Sequence, residues 1–163
     1  MSGILQPFFM YTNNSGVAVE YGLFGGGSIG GFVLVNTTQK YKYLSNIVSS
    51  GTVLGLAIYG LAATGNSTVG IFGGGYSDTY SNYTDKYTYS DDTRVAGTLL
   101  GLARSGLAAT GNSTVGIFGG GYGGGYSNYT DKYTYSSNSR VAGTVLSTTL
   151  NSLAACSATA NGL

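Results

Sequence analysis

Between positions 82 and 90 the chain alternates cleanly, with Tyr83, Asp85, Tyr87 and Tyr89 on one side and Asn82, Thr84, Lys86 and Thr88 on the other. A period of two over this length predicts a half-buried β-strand. Upstream, residues 62–64 and 68–72 flank Gly65-Asn66, which reads as two short strands joined by a turn. Gly73-Gly74-Gly75 ends the second strand, where glycine enters left-handed backbone without steric cost. Downstream, Asp91-Asp92 predicts the next turn, and residues 95–102 predict a fourth strand interrupted by glycine. No stretch carries three turns of helical apolar spacing free of glycine and β-branched residues. The pattern predicts an all-β protein.

The same pattern returns. LAATGNSTVGIFGGGY at 61–76 recurs letter for letter at 107–122, YSNYTDKYTYS at 80–90 recurs at 126–136, and RVAGT at 94–98 recurs at 140–144, all at a spacing of 46. A period in this range marks propellers, solenoids and other arrays. Four strands per 46 residues is the content of one propeller blade. A diverged copy precedes these two. GLFGGG at 22–27 matches 70–75 at a spacing of 48, the two extra residues falling within 28–36. From Thr38 onward the spacing is 46 again, with Ile58 where the next copy has Arg104.

At the far end, LAACSATANGL at 153–163 lies over 107–117. The expected organisation is an apolar arm at 1–15 followed by one repeat domain at 16–163, with units at about 22–69, 70–115 and 116–163. The two ends are out of phase. The LAA segment offers a strand for which residues 16–27 have no partner, in the same molecule or in a neighbour by donor-strand addition. In the arm, Ile4, Leu5, Phe8, Phe9, Met10 and Tyr11 gather around Pro7. That cluster packs under the first repeat or anchors on a neighbouring chain. The predicted assembly residues are therefore Phe8, Phe9, Met10 and Tyr11 with Leu153, Ala154 and Ala155.

Composition sharpens this picture. Charged residues make up 8% of the chain, against about 25% in ordinary domains. Glycine supplies 29 residues and tyrosine 15, while Trp and His are absent. A net charge of +1 provides no field to draw in nucleic acid or an anionic membrane. So charge-poor a surface resists self-association weakly, which suits a chain that sits inside an assembly. The N-terminus has no positive region and only a broken apolar run, so no secretory signal and no membrane span are expected. The single cysteine, Cys156, has no internal disulfide partner, and its small neighbours predict a buried core thiol.

Candidate chemistry is sparse. Without histidine, His-based triads, general bases and metal sites are excluded. The acidic residues are Glu20, Asp78, Asp85, Asp91, Asp92 and Asp131. Asp85 and Asp131 are equivalent positions in successive units, which reads as a repeated structural group paired with Lys86, Lys132 or a tyrosine hydroxyl. The glycine runs lack the GK[ST] ending and the following helix of a phosphate loop. No catalytic residue, metal or cofactor is expected. Six Asn-X-Ser/Thr triplets follow from a composition rich in those residues and are not read as glycosylated. Tyr76, Tyr80 and Tyr83, with Tyr122, Tyr126 and Tyr129, recur after the glycines. Tyrosine with Ser, Gly and Asn is the composition of binding loops, so these six are the candidate binding residues, set against packing within and between units.

In the unit, VGIF at 69–72 precedes Gly73-Gly74, Tyr89 holds an aromatic position, and Arg104 stands ahead of Leu107-Ala108-Ala109. In these features, across residues 16–163, the chain resembles a degenerate kelch repeat, with Val95-Ala96 and Val141-Ala142 near the position of that family's Trp. The Gly/Tyr/Ser/Thr-rich character also resembles tailed-phage and other virion proteins. The resemblance implies kelch-like propeller blades. Because about three units are present and propellers have four to eight blades, the open alternatives are a propeller closed by a second chain, a threefold β-prism, a β-trefoil-like domain, or a stack of sheets extended by neighbours. In every open version unprotected edge strands call for a partner chain.

The expectation for function is a non-enzymatic structural virion protein, a phage capsid decoration or a tail or fibre component, in an extracellular particle. Its partners are copies of itself and other virion proteins, met through β-strand completion and Tyr-rich contacts. The alternative is a kelch-like binding module recognising a host glycan or protein. Neither reading involves nucleic acid or membrane insertion.

Overall fold

The computed structural model describes residues 21–157, where all regular structure is β apart from one 3-10 turn, Gly30–Phe32. The first unit contains β1 (Tyr21–Gly25), a small ribbon of β2 (Ser28–Ile29) and β3 (Val33–Leu34), then β4 (Thr38–Lys42) and β5 (Ile47–Gly51). The ribbon occupies the stretch where the repeat carries its two extra residues. The second unit is β6 (Ala62–Gly65), β7 (Val69–Gly73), β8 (Thr84–Thr88) and β9 (Thr93–Ala96). The third is β10 (Ala108–Gly111), β11 (Val115–Gly119), β12 (Thr130–Thr134) and β13 (Ser139–Ala142).

Each main sheet is an antiparallel meander, in the orders β1-β4-β5, β6-β7-β8-β9 and β10-β11-β12-β13. None closes on itself. The four strands expected per unit are present in the second and third. Among the described residues the first sheet has three, without a counterpart of β6 and β10.

Local chemistry sets the turns. Asn66 Oδ1 accepts from the Thr68 and Val69 N–H groups, and Asn112 repeats this with Thr114 and Val115. These turns close the β6–β7 and β10–β11 hairpins. The predicted Asp91-Asp92 turn forms, with Asp92 at φ 57°, and Asn46 and Asn138 hold the same position at 55° and 52°. Asn and Asp tolerate left-handed backbone better than other side chains. The fourth strand differs from expectation: β9 ends at Ala96 instead of running through 95–102. Beyond it, the Gly97 N–H turns back to Thr84 O, and the Thr98 N–H reaches the Tyr133 hydroxyl of the next unit. The chain is crossing between sheets there, with Leu100 buried beneath the crossing.

Consecutive sheets lie face to face, and this changes the burial of β8. The expected half-buried strand is covered on both sides, Thr84, Asp85 and Tyr87 all being buried. Asp85 and Tyr87 reach the preceding unit, where they accept from the Gly55 N–H at 2.9 Å and the Thr52 N–H at 3.2 Å. Lys86 faces the other way and donates to Tyr135 O of the following unit at 2.9 Å. Phe72 packs with Leu54 and Tyr87, and Phe118 packs with Leu100 and Tyr133, so the core lies between sheets.

Backbone hydrogen bonds tie the units at the repeat spacing. Gly106 N–H donates to Gly60 O, and Ser152 N–H donates to Gly106 O, both at 2.8 Å. Gly60 and Gly106 stand at φ +64° and +62°, the left-handed region that favours glycine. Cys156 is exposed, contrary to the buried core thiol expected from its neighbours. It lies outside any strand, at an open cleft beside Thr110, Gly111 and Ile117 of the third sheet.

Candidate interaction surface

The six tyrosines singled out from sequence divide into two groups. Tyr76, Tyr80, Tyr122 and Tyr126 join Tyr59 in one line of edge-to-face rings. The centroid separations are 5.7 Å (Tyr59–Tyr76), 5.1 Å (Tyr76–Tyr80), 5.6 Å (Tyr80–Tyr122) and 5.5 Å (Tyr122–Tyr126). Aromatic pairs prefer this geometry because the positive ring edge meets the negative face. Residues in isolated bridges hold the rings: Tyr59 pairs with Tyr76, Tyr76 with Tyr80, and Tyr122 with Tyr126. The Tyr80–Tyr122 contact crosses from one unit to the next. Sequence reasoning missed Tyr59, because the third unit has Ser105 at that position and the repeat signal fails there.

The Tyr80 hydroxyl is pushed above its usual pKa, first by desolvation and then by the neighbouring Tyr122 and Tyr76. Tyr126, at the end of the line, is 67% exposed. It borders a cleft of about 420 Å³, lined also by Leu102, Ala103, Gly123, Gly125 and Ser127. Here the third unit has Gly123-Gly124-Gly125 where the second has Ser77-Asp78-Thr79.

Tyr83 and Tyr129 turn inward. The Tyr83 hydroxyl accepts from Arg94 Nη1 at 3.2 Å, and the same nitrogen pairs with Asp85 at 3.2 Å. The Tyr129 ring lies 5.4 Å beneath the Arg104 guanidinium. Arg104 pairs with Asp131 at 2.8 Å, and Arg140 approaches the other Asp131 oxygen at 3.5 Å. The two repeated carboxylates are held by arginines and backbone amides, not by Lys86 or Lys132, and for Asp85 the expected tyrosine hydroxyl is also a partner, that of Tyr83. Arg104 Nε and Nη1 are buried without a hydrogen-bond acceptor, facing a low-dielectric interior with the Tyr129 ring as compensation.

Of the predicted assembly residues, Leu153 is half-buried and Ala154 and Ala155 are exposed. Phe8, Phe9, Met10 and Tyr11 lie outside the described residues, as does Glu20. Among the described residues no three His, Cys, Asp or Glu side chains gather as a metal site. No helix there is long and apolar enough to cross a membrane. No protein-family model and no curated protein matches the chain.

Proposed function

We propose that the chain is a non-enzymatic structural protein that assembles with copies of itself in an extracellular particle. A phage virion is the setting that its composition resembles, where it would serve as a capsid decoration or a tail or fibre component. One observation carries the reading: in the first unit Phe24, Phe32, Tyr43, Leu44, Ile47 and Val48 are all exposed. Apolar exposure on this scale marks contact surfaces. At 8% charged residues, little electrostatic repulsion opposes their burial against another chain. The finer architecture belongs to the same proposal. Kelch-like units, or a β-prism, would be completed by units from other chains.

Native mass measured across a hundredfold dilution series tests it. One discrete oligomer means closure between chains, and its stoichiometry counts the units. A growing ladder means an open array. A monomer at every concentration overturns the assembly reading.

A second reading is a kelch-like module that binds a host glycan or protein. The exposed Tyr126 beside its cleft favours it, since tyrosine supplies rigid contact area with a polar tip. Glycan-array binding that disappears on Tyr126→Ala, with assembly unchanged, would move this reading to the front.

A further inference from the structure

Deepening the assembly reading, on which this rests, we infer that the open faces of the first and third sheets are the two halves of one seam, by which a second copy of this chain adds head to tail. The chain already contains that seam twice. Between the first and second sheets, Phe72 packs on Leu54, and the Tyr87 hydroxyl accepts from the Thr52 N–H. Between the second and third, Phe118 packs with Leu100, and the Tyr133 hydroxyl accepts from the Thr98 N–H at 3.1 Å.

Among the described residues, the counterparts of these groups stand unmatched at the two ends of the row. Phe24 is 65% exposed, whereas Phe72 and Phe118 are 4% and 0% exposed. Leu146 is half-buried where Leu54 and Leu100 are buried. The glycines record the same gap. A Cβ at Gly25 would meet the Phe72 ring at 3.1 Å, and one at Gly73 the Phe118 ring at 3.2 Å. At Gly119 the nearest atoms belong to Thr130 and Leu146, at 3.5 and 3.6 Å, with no ring over it. In the seam, Phe24 of one copy covers Gly119 and Leu146 of the next, and the Thr144 N–H donates to the Tyr41 hydroxyl.

A strand addition follows from the same correspondence of repeat positions. Leu153 seats against Gly120 as Leu107 seats against Gly74 and Leu61 against Gly26, with a Cβ at the glycine 2.8, 2.7 and 3.0 Å from the leucine. The residues after Leu107 form β10, but Ala154, Ala155 and Cys156 lie exposed outside any strand. Among the described residues, β1 pairs only with β4, and its other edge is where β7 receives β6. The pairs Ala62↔Gly73, Ala63↔Phe72 and Thr64↔Ile71 set the register. Transferred across copies, Ala154 faces Gly25, Ala155 faces Phe24, and Cys156 faces Leu23. The mating faces are successive copies of one repeat, which is why a second copy of this chain fits better than a foreign partner. Such a heterologous contact propagates into a ring or a filament.

Cross-linking in the full chain tests the register. Leu23→Cys, oxidised at low concentration, is expected to join Cys156 of a second copy into reducible dimers and higher species, all lost when Cys156→Ser is added. Phe24→Asp is expected to weaken assembly at least tenfold with an unchanged far-UV circular dichroism spectrum, because Phe24 is exposed in its own chain. A disulfide formed within one chain overturns the seam. So does wild-type assembly that persists in Phe24→Asp with no cross-link in Leu23→Cys, and in that case the assembly reading still stands. A wild-type chain that stays monomeric overturns both.

Discussion

Arg104 and Asp131 form an ion pair at 2.8 Å in which the two side chains are 1% and 0% exposed. The carboxylate also accepts from the Gly101 N–H and lies near Arg140, so it is the anchor of a small buried network. Removing one member of a buried pair leaves an uncompensated charge, typically at a cost of about 3–5 kcal/mol. Asp131→Ala is expected to lose stability on that scale in urea unfolding. Arg104→Ile is expected to cost less. The preceding unit already runs with Ile58 in that place, and Asp131 keeps Arg140 and the Gly101 amide.

Gly121 stands at φ +99°, and a Cβ there would lie 2.8 Å from Ser105 O. Its N–H is also committed to Leu150 O. Alanine meets both a disfavoured backbone region and fixed carbonyl oxygen, so Gly121→Ala is expected to destabilise by more than about 1 kcal/mol. Thermal melting of the variant against wild type checks this.

Tyr80 touches two rings in the aromatic line, at 5.1 and 5.6 Å, whereas Tyr126 touches one, at 5.5 Å. Each such pair contributes about 0.5–1.5 kcal/mol beyond area burial. Tyr80→Ala is therefore expected to cost more than Tyr126→Ala. Denaturant midpoints of the two variants provide the comparison, and equal losses would contradict a line that joins units.

Alkali acts through tyrosines. Burial, with Tyr135 and Tyr43 nearby, pushes the Tyr89 hydroxyl up to about 12, and burial with Asp92 and Tyr89 does the same for Tyr21. The folded state holds these protons more tightly than the unfolded chain, where tyrosine titrates near 10. Their contribution to stability is complete below pH 10 and is lost as the pH rises from about 10 to 12. Tyrosinate absorbance at 295 nm is expected to show a late fraction of the 15 tyrosines, rising together with loss of the β circular dichroism signal.

Much of the secondary structure was legible. The alternation around Tyr87, the glycine ends and the Asp91-Asp92 turn each correspond to a strand or turn of the fold. The same local logic failed where a residue's environment comes from outside its own strand or loop. Tyr83 and Tyr129 share loops with Tyr76 and Tyr122, yet they turn inward because arginines reach them across the sheet. Tyr59 joins the aromatic line from outside the repeat signal. Cys156 is exposed although small neighbours surround it in sequence.

Periodicity by itself determined that the chain is all-β, that it repeats every 46 residues, and where the hairpins turn, because alternation and left-handed turn positions are properties of a few adjacent residues. Only the tertiary structure decided that β8 is buried on both faces, that Asp131 pairs with Arg104, and that Phe24 stands bare where Phe72 and Phe118 are covered. Those facts depend on which sheet lies against which. Letter-for-letter identical segments acquire different burial and different partners according to the unit beside them, and no local pattern records a neighbour.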